Sequence, residues 1–124
     1  METFSVLLTT PVTPEAVVEF IKASGGHVES DQTADGCIER GTAAVFVSLE
    51  DPAYRDTDSL QSIPIALRER IASVILLTVA RSRESLPLAF EIADKAAAHW
   101  SGVISWDGLD DWEELYKTWC ESAK

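Results

Sequence analysis

From Ser73 to Ala80 the chain reads Ser-Val-Ile-Leu-Leu-Thr-Val-Ala, a short apolar run rich in β-branched residues and closed by the charged turn Arg81-Ser82-Arg83-Glu84. Such a run predicts a strand covered on both faces and marks the centre of a sheet. Past the turn the period becomes helical. Leu86, Ala89, Phe90, Ala93, Ala96, Ala97 and Trp100 recur at three- and four-residue steps, with Ser85 placed to cap the first turn and Gly102 to stop the last. Val103-Ile104-Ser105-Trp106 follows as a second short strand. A strand, helix and strand of this length favour a right-handed crossover with the two strands parallel.

The segments on either side supply the remaining elements. Phe4-Ser5-Val6-Leu7-Leu8 reads as a first strand. Thr13-Pro14-Glu15 then starts a helix, with a capping hydroxyl, proline at the first helical position and an acid at the positive end of the dipole. Val17, Phe20 and Ile21 give that helix a buried face, and Ser24-Gly25-Gly26 ends it because glycine readily takes the left-handed conformation. His27-Val28-Glu29-Ser30 and Cys37-Ile38-Glu39-Arg40 read as short strands, and Gly41-Thr42 turns the chain into Ala43 to Leu49, which makes a hairpin. The polar stretch Glu50 to Ser62 reads as a surface loop, and Ile63 to Ile71 as a short helix with Pro64 near its start. In the last segment Asp110 and Glu113 have capping-box spacing, and Trp112, Leu115, Tyr116 and Trp119 fall on one helical face.

The order β-α-β-β-α-β-α-β-α predicts an α+β fold: a two-layer sandwich with a mixed sheet of about five strands and three to four helices mainly on one face. Residues 1–124 form one domain, with 46% hydrophobic residues to supply its core. The longest apolar run is far shorter than a membrane span, and Met1-Glu2-Thr3 lacks the basic segment of a secretion signal, so the expected location is cytoplasmic. In that compartment Cys37 and Cys120 are expected to remain thiols.

Charge narrows the partner classes. Ten basic residues against twenty-one acidic ones give a net charge of −11, which argues against a nucleic-acid or anionic-membrane surface and favours a basic partner. The surplus is uneven. Residues 27–61 carry eight acids against two bases and residues 101–124 six against two, whereas residues 62–100 have four acids and five bases. The acids therefore collect in loops, in the hairpin region and on the last helix. All four tryptophans, Trp100, Trp106, Trp112 and Trp119, fall in the last quarter, interleaved with Asp107, Asp110, Asp111, Glu113 and Glu114. A mixed tryptophan and acid surface suits an arginine- or lysine-rich partner, although three of these rings fit the core better.

Catalytic signatures are sparse. There is no phosphate loop, nucleophile elbow, Cys-x-x-Cys or His-x-x-x-His pair, so neither a metal nor a cofactor is expected and the chain does not read as an enzyme. His27 at a strand start and His99 near a helix end are explained by structure, the latter by the helix dipole.

The stretch Leu88-Ala89-Phe90-Glu91-Ile92-Ala93-Asp94, then Ala97-Ala98-His99-Trp100-Ser101-Gly102-Val103-Ile104 and Trp106-Asp107-Gly108, resembles the closing helix, Trp-x-Gly strand and acidic turn of small immunity proteins from bacterial contact-dependent growth inhibition and related polymorphic toxin systems. The resemblance covers about a fifth of the chain. It implies a cytosolic, non-enzymatic protein that binds a cognate toxin domain, frequently a nuclease, and occludes its active site. Combined with the charge, this makes Glu29, Asp31, Asp35, Asp51, Asp56 and Asp58 the first-choice toxin contacts and Asp107, Asp110 and Asp111 the second. They would pair with the basic residues by which the toxin holds a phosphate backbone. The alternatives are a small-molecule-binding or regulatory α+β domain, dimeric through a sheet edge, and a small enzyme using His99 or Cys37.

Overall fold

The computed structural model describes residues 2–30, 35–50, 70–80, 85–105 and 110–123. Its elements are β1 (Glu2–Leu8), α1 (Pro14–Ala23), β2 (His27–Ser30), β3 (Asp35–Arg40), β4 (Ala43–Glu50), β5 (Ser73–Ala80), α2 (Leu86–Trp100), β6 (Val103–Ser105) and α3 (Asp110–Ala123). The expected loop and short helix between Glu50 and Ile71 lie outside the described residues, apart from Glu50, which ends β4, and Arg70 and Ile71. The fold is the expected α+β sandwich. Its sheet has six strands rather than about five, in the order β2-β3-β4-β5-β1-β6, and every pairing is antiparallel rather than mixed.

The apolar run Ser73–Ala80 does take a central place, between β4 and β1. β5 and β6 also run in the same direction, as the strand-helix-strand pattern predicts, but they are not neighbours. β1 inserts between them and pairs antiparallel with both, Leu7 opposite Val74 on one side and Val103 on the other. Local periodicity reports which residues extend, whereas the choice of neighbour is a long-range contact that a local pattern does not encode.

Alternation along the strands divides the sheet into two faces. Phe4, Val6, Leu8, Ile38, Val45, Val47, Ile75, Leu77 and Val79 point to one face. They form the core with Val17, Val18 and Ile21 of α1 and with Leu86, Leu88, Ala89, Phe90, Ile92, Ala93 and Ala96 of α2. α3 packs outside α2, where Tyr116 and Trp119 lie half-buried with ring centroids 5.7 and 6.2 Å from Phe90. Leu115, expected on the same buried stripe, is instead exposed at 38%. A lone helix lying on another buries only a narrow seam, and Leu115 falls beyond it.

The ends of α1 follow local chemistry, and those of α2 depart from it. The Thr13 hydroxyl accepts a hydrogen bond from Ala16 N–H at 3.2 Å. Gly25, at φ +87°, closes α1 by letting Gly26 N–H reach the Ile21 carbonyl at 2.9 Å. At the start of α2, Ser85 is not the expected cap. Its own backbone is helical, at φ −79° and ψ −12°, so its hydroxyl is not aimed at the first-turn amides. It accepts instead from Ala44 N–H at 3.0 Å and ties the helix to β4. At the far end of α2 the left-handed residue is Ser101, at φ 55° and ψ 47°, rather than Gly102. Gly102 serves a steric need: a Cβ there would stand 2.5 Å from Leu8 Cδ2 and 2.9 Å from the Leu7 carbonyl oxygen.

Candidate binding surface

The face of the sheet turned away from α1 and α2 carries an unusual row. His27, Cys37, Phe46, Thr78 and Thr3 stand opposite one another across β2, β3, β4, β5 and β1. The Thr3 and Thr78 hydroxyls hydrogen-bond at 3.1 Å. At the middle of this row Phe46 is 38% exposed, although its chain neighbours Val45 and Val47 are buried in the core. Strand parity forces this: if Val45 and Val47 face α1 and α2, the ring between them must face outward.

Two of the predicted acids meet this ring. Between Val28 and Ser30 the β2 strand advances two residues while β3 advances one, from Gly36 to Asp35, so Glu29 is the extra residue of a β-bulge at the sheet edge. Bulges bend a strand and redirect the side chain they carry. Glu29 and Asp35 both line a concavity of about 250 Å³ whose other walls include Phe46, Ser48 and Thr78. Glu29 is exposed and Asp35 half-buried. The arrangement places carboxylates, hydroxyls and an aromatic face around one hollow, a combination suited to a cationic side chain that is held by charge and covered by a ring.

The other candidates do not gather here. Asp110 and Asp111 open α3, on the helical side of the sheet, and so stand apart from Glu29 and Asp35. Asp31, Asp51, Asp56, Asp58 and Asp107 lie outside the described residues, as does Trp106. The sequence pattern does not mark Phe46: in Ala43 to Leu49 only Ser48 breaks the apolar run, too little alternation to show which parity faces outward.

The groups proposed for an enzymatic reading lie apart. Cys37 is buried in the outer row of β3, and His99 is exposed on α2, which packs on the opposite side of the sheet. Cys120 lies half-buried on α3, and neither cysteine is in a disulfide. Among the described residues no set of three His, Cys, Asp or Glu side chains could hold a metal, and no helix is long and apolar enough to cross a membrane. Among the described residues one ionisable group is clearly perturbed. Burial, followed by hydrogen bonds to Cys120 and Asp94, raises the Tyr116 phenol well above its ordinary value. Its hydroxyl donates to Asp94 Oδ1 at 2.8 Å, which fastens α3 to α2 and keeps the ring neutral.

Comparison of the chain with models of known protein families, with curated proteins and with solved structures finds no match in any of the three.

Proposed function

We propose that this protein is an immunity protein that binds a cognate bacterial toxin domain in the cytoplasm of the producing cell and neutralises it by occluding the toxin's active site. The observation that carries the reading is the convergence of Glu29, Asp35 and the exposed Phe46 ring on one hollow of the outer sheet face, in a chain of net charge −11. An aromatic flanked by acids suits the basic residues with which a nuclease holds its substrate, and clustered charge accelerates the encounter. The resemblance of residues 88–111 to polymorphic-toxin immunity proteins supports the same reading. Inhibition in this scheme needs no chemistry from the immunity protein, only a surface that competes with substrate.

The test is a pull-down with the tagged protein from its native organism, at low and then moderate salt, with bound proteins identified by mass spectrometry. The expected outcome is recovery of the basic C-terminal domain of a large secreted protein, released as salt rises. Recovery of nothing, or only of a second copy of the chain, overturns it.

A further inference from the structure

We infer that the cleft between α1 and α2 is a binding site for a small aromatic anion, a carboxylate or sulfonate. It lies on the helical side of the sheet, opposite the acidic hollow, so it stands or falls independently of toxin binding. The cleft encloses about 580 Å³, within the roughly 300–1,000 Å³ typical of small-ligand sites. Its walls are kept apart by small residues, Ala16 and Ala23 on α1 and Ala98 on α2, and its apolar floor is the Phe20 ring. The ring belongs to an aromatic wall: its centroid lies 5.1 Å from that of Trp100 and 6.5 Å from that of His99, and His99 meets Trp100 edge-on at 4.7 Å. A planar ligand entering the cleft extends that wall by stacking.

Charge complementarity selects an anion. Lys95 and His99 line the cleft, and no acidic side chain is among the described residues that do. The Lys95 ammonium is 4.0 Å from Glu91 Oε1, at the limit of an ion pair, and its side chain is 54% exposed. Glu91 is engaged more closely by Arg40 of β3. In a protein with eleven more acids than bases, a lysine left so weakly compensated at the mouth of an apolar cleft is a place for a negative head group, with the hydrocarbon body against Phe20.

The probe is 8-anilinonaphthalene-1-sulfonate, titrated into the intact chain and followed by its fluorescence, with the uncharged N-phenyl-1-naphthylamine in parallel. Saturable one-site binding is expected, with the neutral compound at least tenfold weaker and with perturbed amide signals at Phe20, Lys95 and His99 rather than at Phe46. Lys95→Gln, at an exposed position that leaves folding intact, should weaken the anion by about tenfold, near 1.4 kcal/mol, and leave the neutral compound unchanged. Ala98→Trp, also exposed, should fill the cleft and abolish binding of both. The inference is overturned by absence of saturation, by equal affinity for the two compounds, by unchanged affinity in Lys95→Gln, or by shifts mapping elsewhere. Sedimentation showing a dimer that buries the cleft also overturns it, because the occupant would then be a second copy.

Discussion

Ser101 carries the only positive φ among the described non-glycine residues, 55°, at the end of α2. A left-handed conformation costs an L-residue with a Cβ about 1–2 kcal/mol, so Ser101→Gly should stabilise the protein by about 1 kcal/mol, visible as a rise of a few degrees in Tm. The neighbouring glycine answers a different demand. Gly102→Ala drives a methyl into Leu8 and the Leu7 carbonyl and should cost about 1–3 kcal/mol, as overpacking does, measured by the urea midpoint. The contrast between the two positions shows how far residue identity can be read locally: the helix stop was legible, but which residue takes the left-handed turn and which makes room for β1 is settled by the strand packed against them. Phe46 supplies the functional test at this scale. It is already 38% exposed, so Phe46→Ala should leave the fold intact while weakening the proposed toxin binding by at least about tenfold, the loss typical of an aromatic hot spot. Unchanged affinity in a calorimetric titration would move the interface elsewhere.

Among the described elements, α3 is held mainly through α2. Its described contacts run to α2, through the stacked pair Tyr116 and Trp119, 6.1 Å between centroids, set against Phe90. The Tyr116 hydroxyl adds its bond to Asp94. Because the folded phenol is held above its ordinary value, its contribution to stability is fully present below pH ~10, the value in the unfolded chain. It is lost as pH rises further, when the unfolded state releases a proton that the folded state retains. Tyr116→Phe should therefore cost about 0.5–1.5 kcal/mol at neutral pH and flatten the fall in stability above pH ~10; urea midpoints from pH 7 to 11 would show both. The opposite edge of the sheet is short by design: β2 has four residues and a bulge at Glu29, features that discourage other strands from adding to it. The hairpin between β3 and β4 was legible from Gly41-Thr42, because glycine at the first turn position takes the positive φ, here 63°, that matches strand twist.

At the scale of the molecule, the described candidate acids are divided between two sides. Glu29 and Asp35 sit at the outer sheet face, while α3, opened by Asp110 and Asp111, lies behind α2. A single partner approaching one side meets only one of these two pairs at close range, and the other contributes through the long-range field. On the proposed function, charge reversal in the Asp51 to Asp58 segment should weaken toxin binding and make it less dependent on salt, as expected when fewer charges are screened on association. Association rates measured between about 50 and 500 mM salt would reveal this, and an unchanged slope would exclude that segment from the encounter.

The pattern of apolar and polar positions by itself determined most of the elements: the central strand Ser73–Ala80, α1 with its Thr13 cap and Gly25 stop, the first hairpin, α2 and α3. It also determined that an acidic α+β fold would bury α1 and α2 against a sheet. These outcomes follow from interactions within a few residues, which periodicity, caps and turns encode directly. Only the tertiary structure decided that β1 would stand between β5 and β6, that Ser85 would bond to Ala44 rather than cap α2, that Leu115 would stay outside the seam and that Phe46 would meet Glu29 and Asp35. Each of these joins residues far apart in the chain. Such contacts depend on which surfaces pack best once the elements exist, and no local pattern carries that choice.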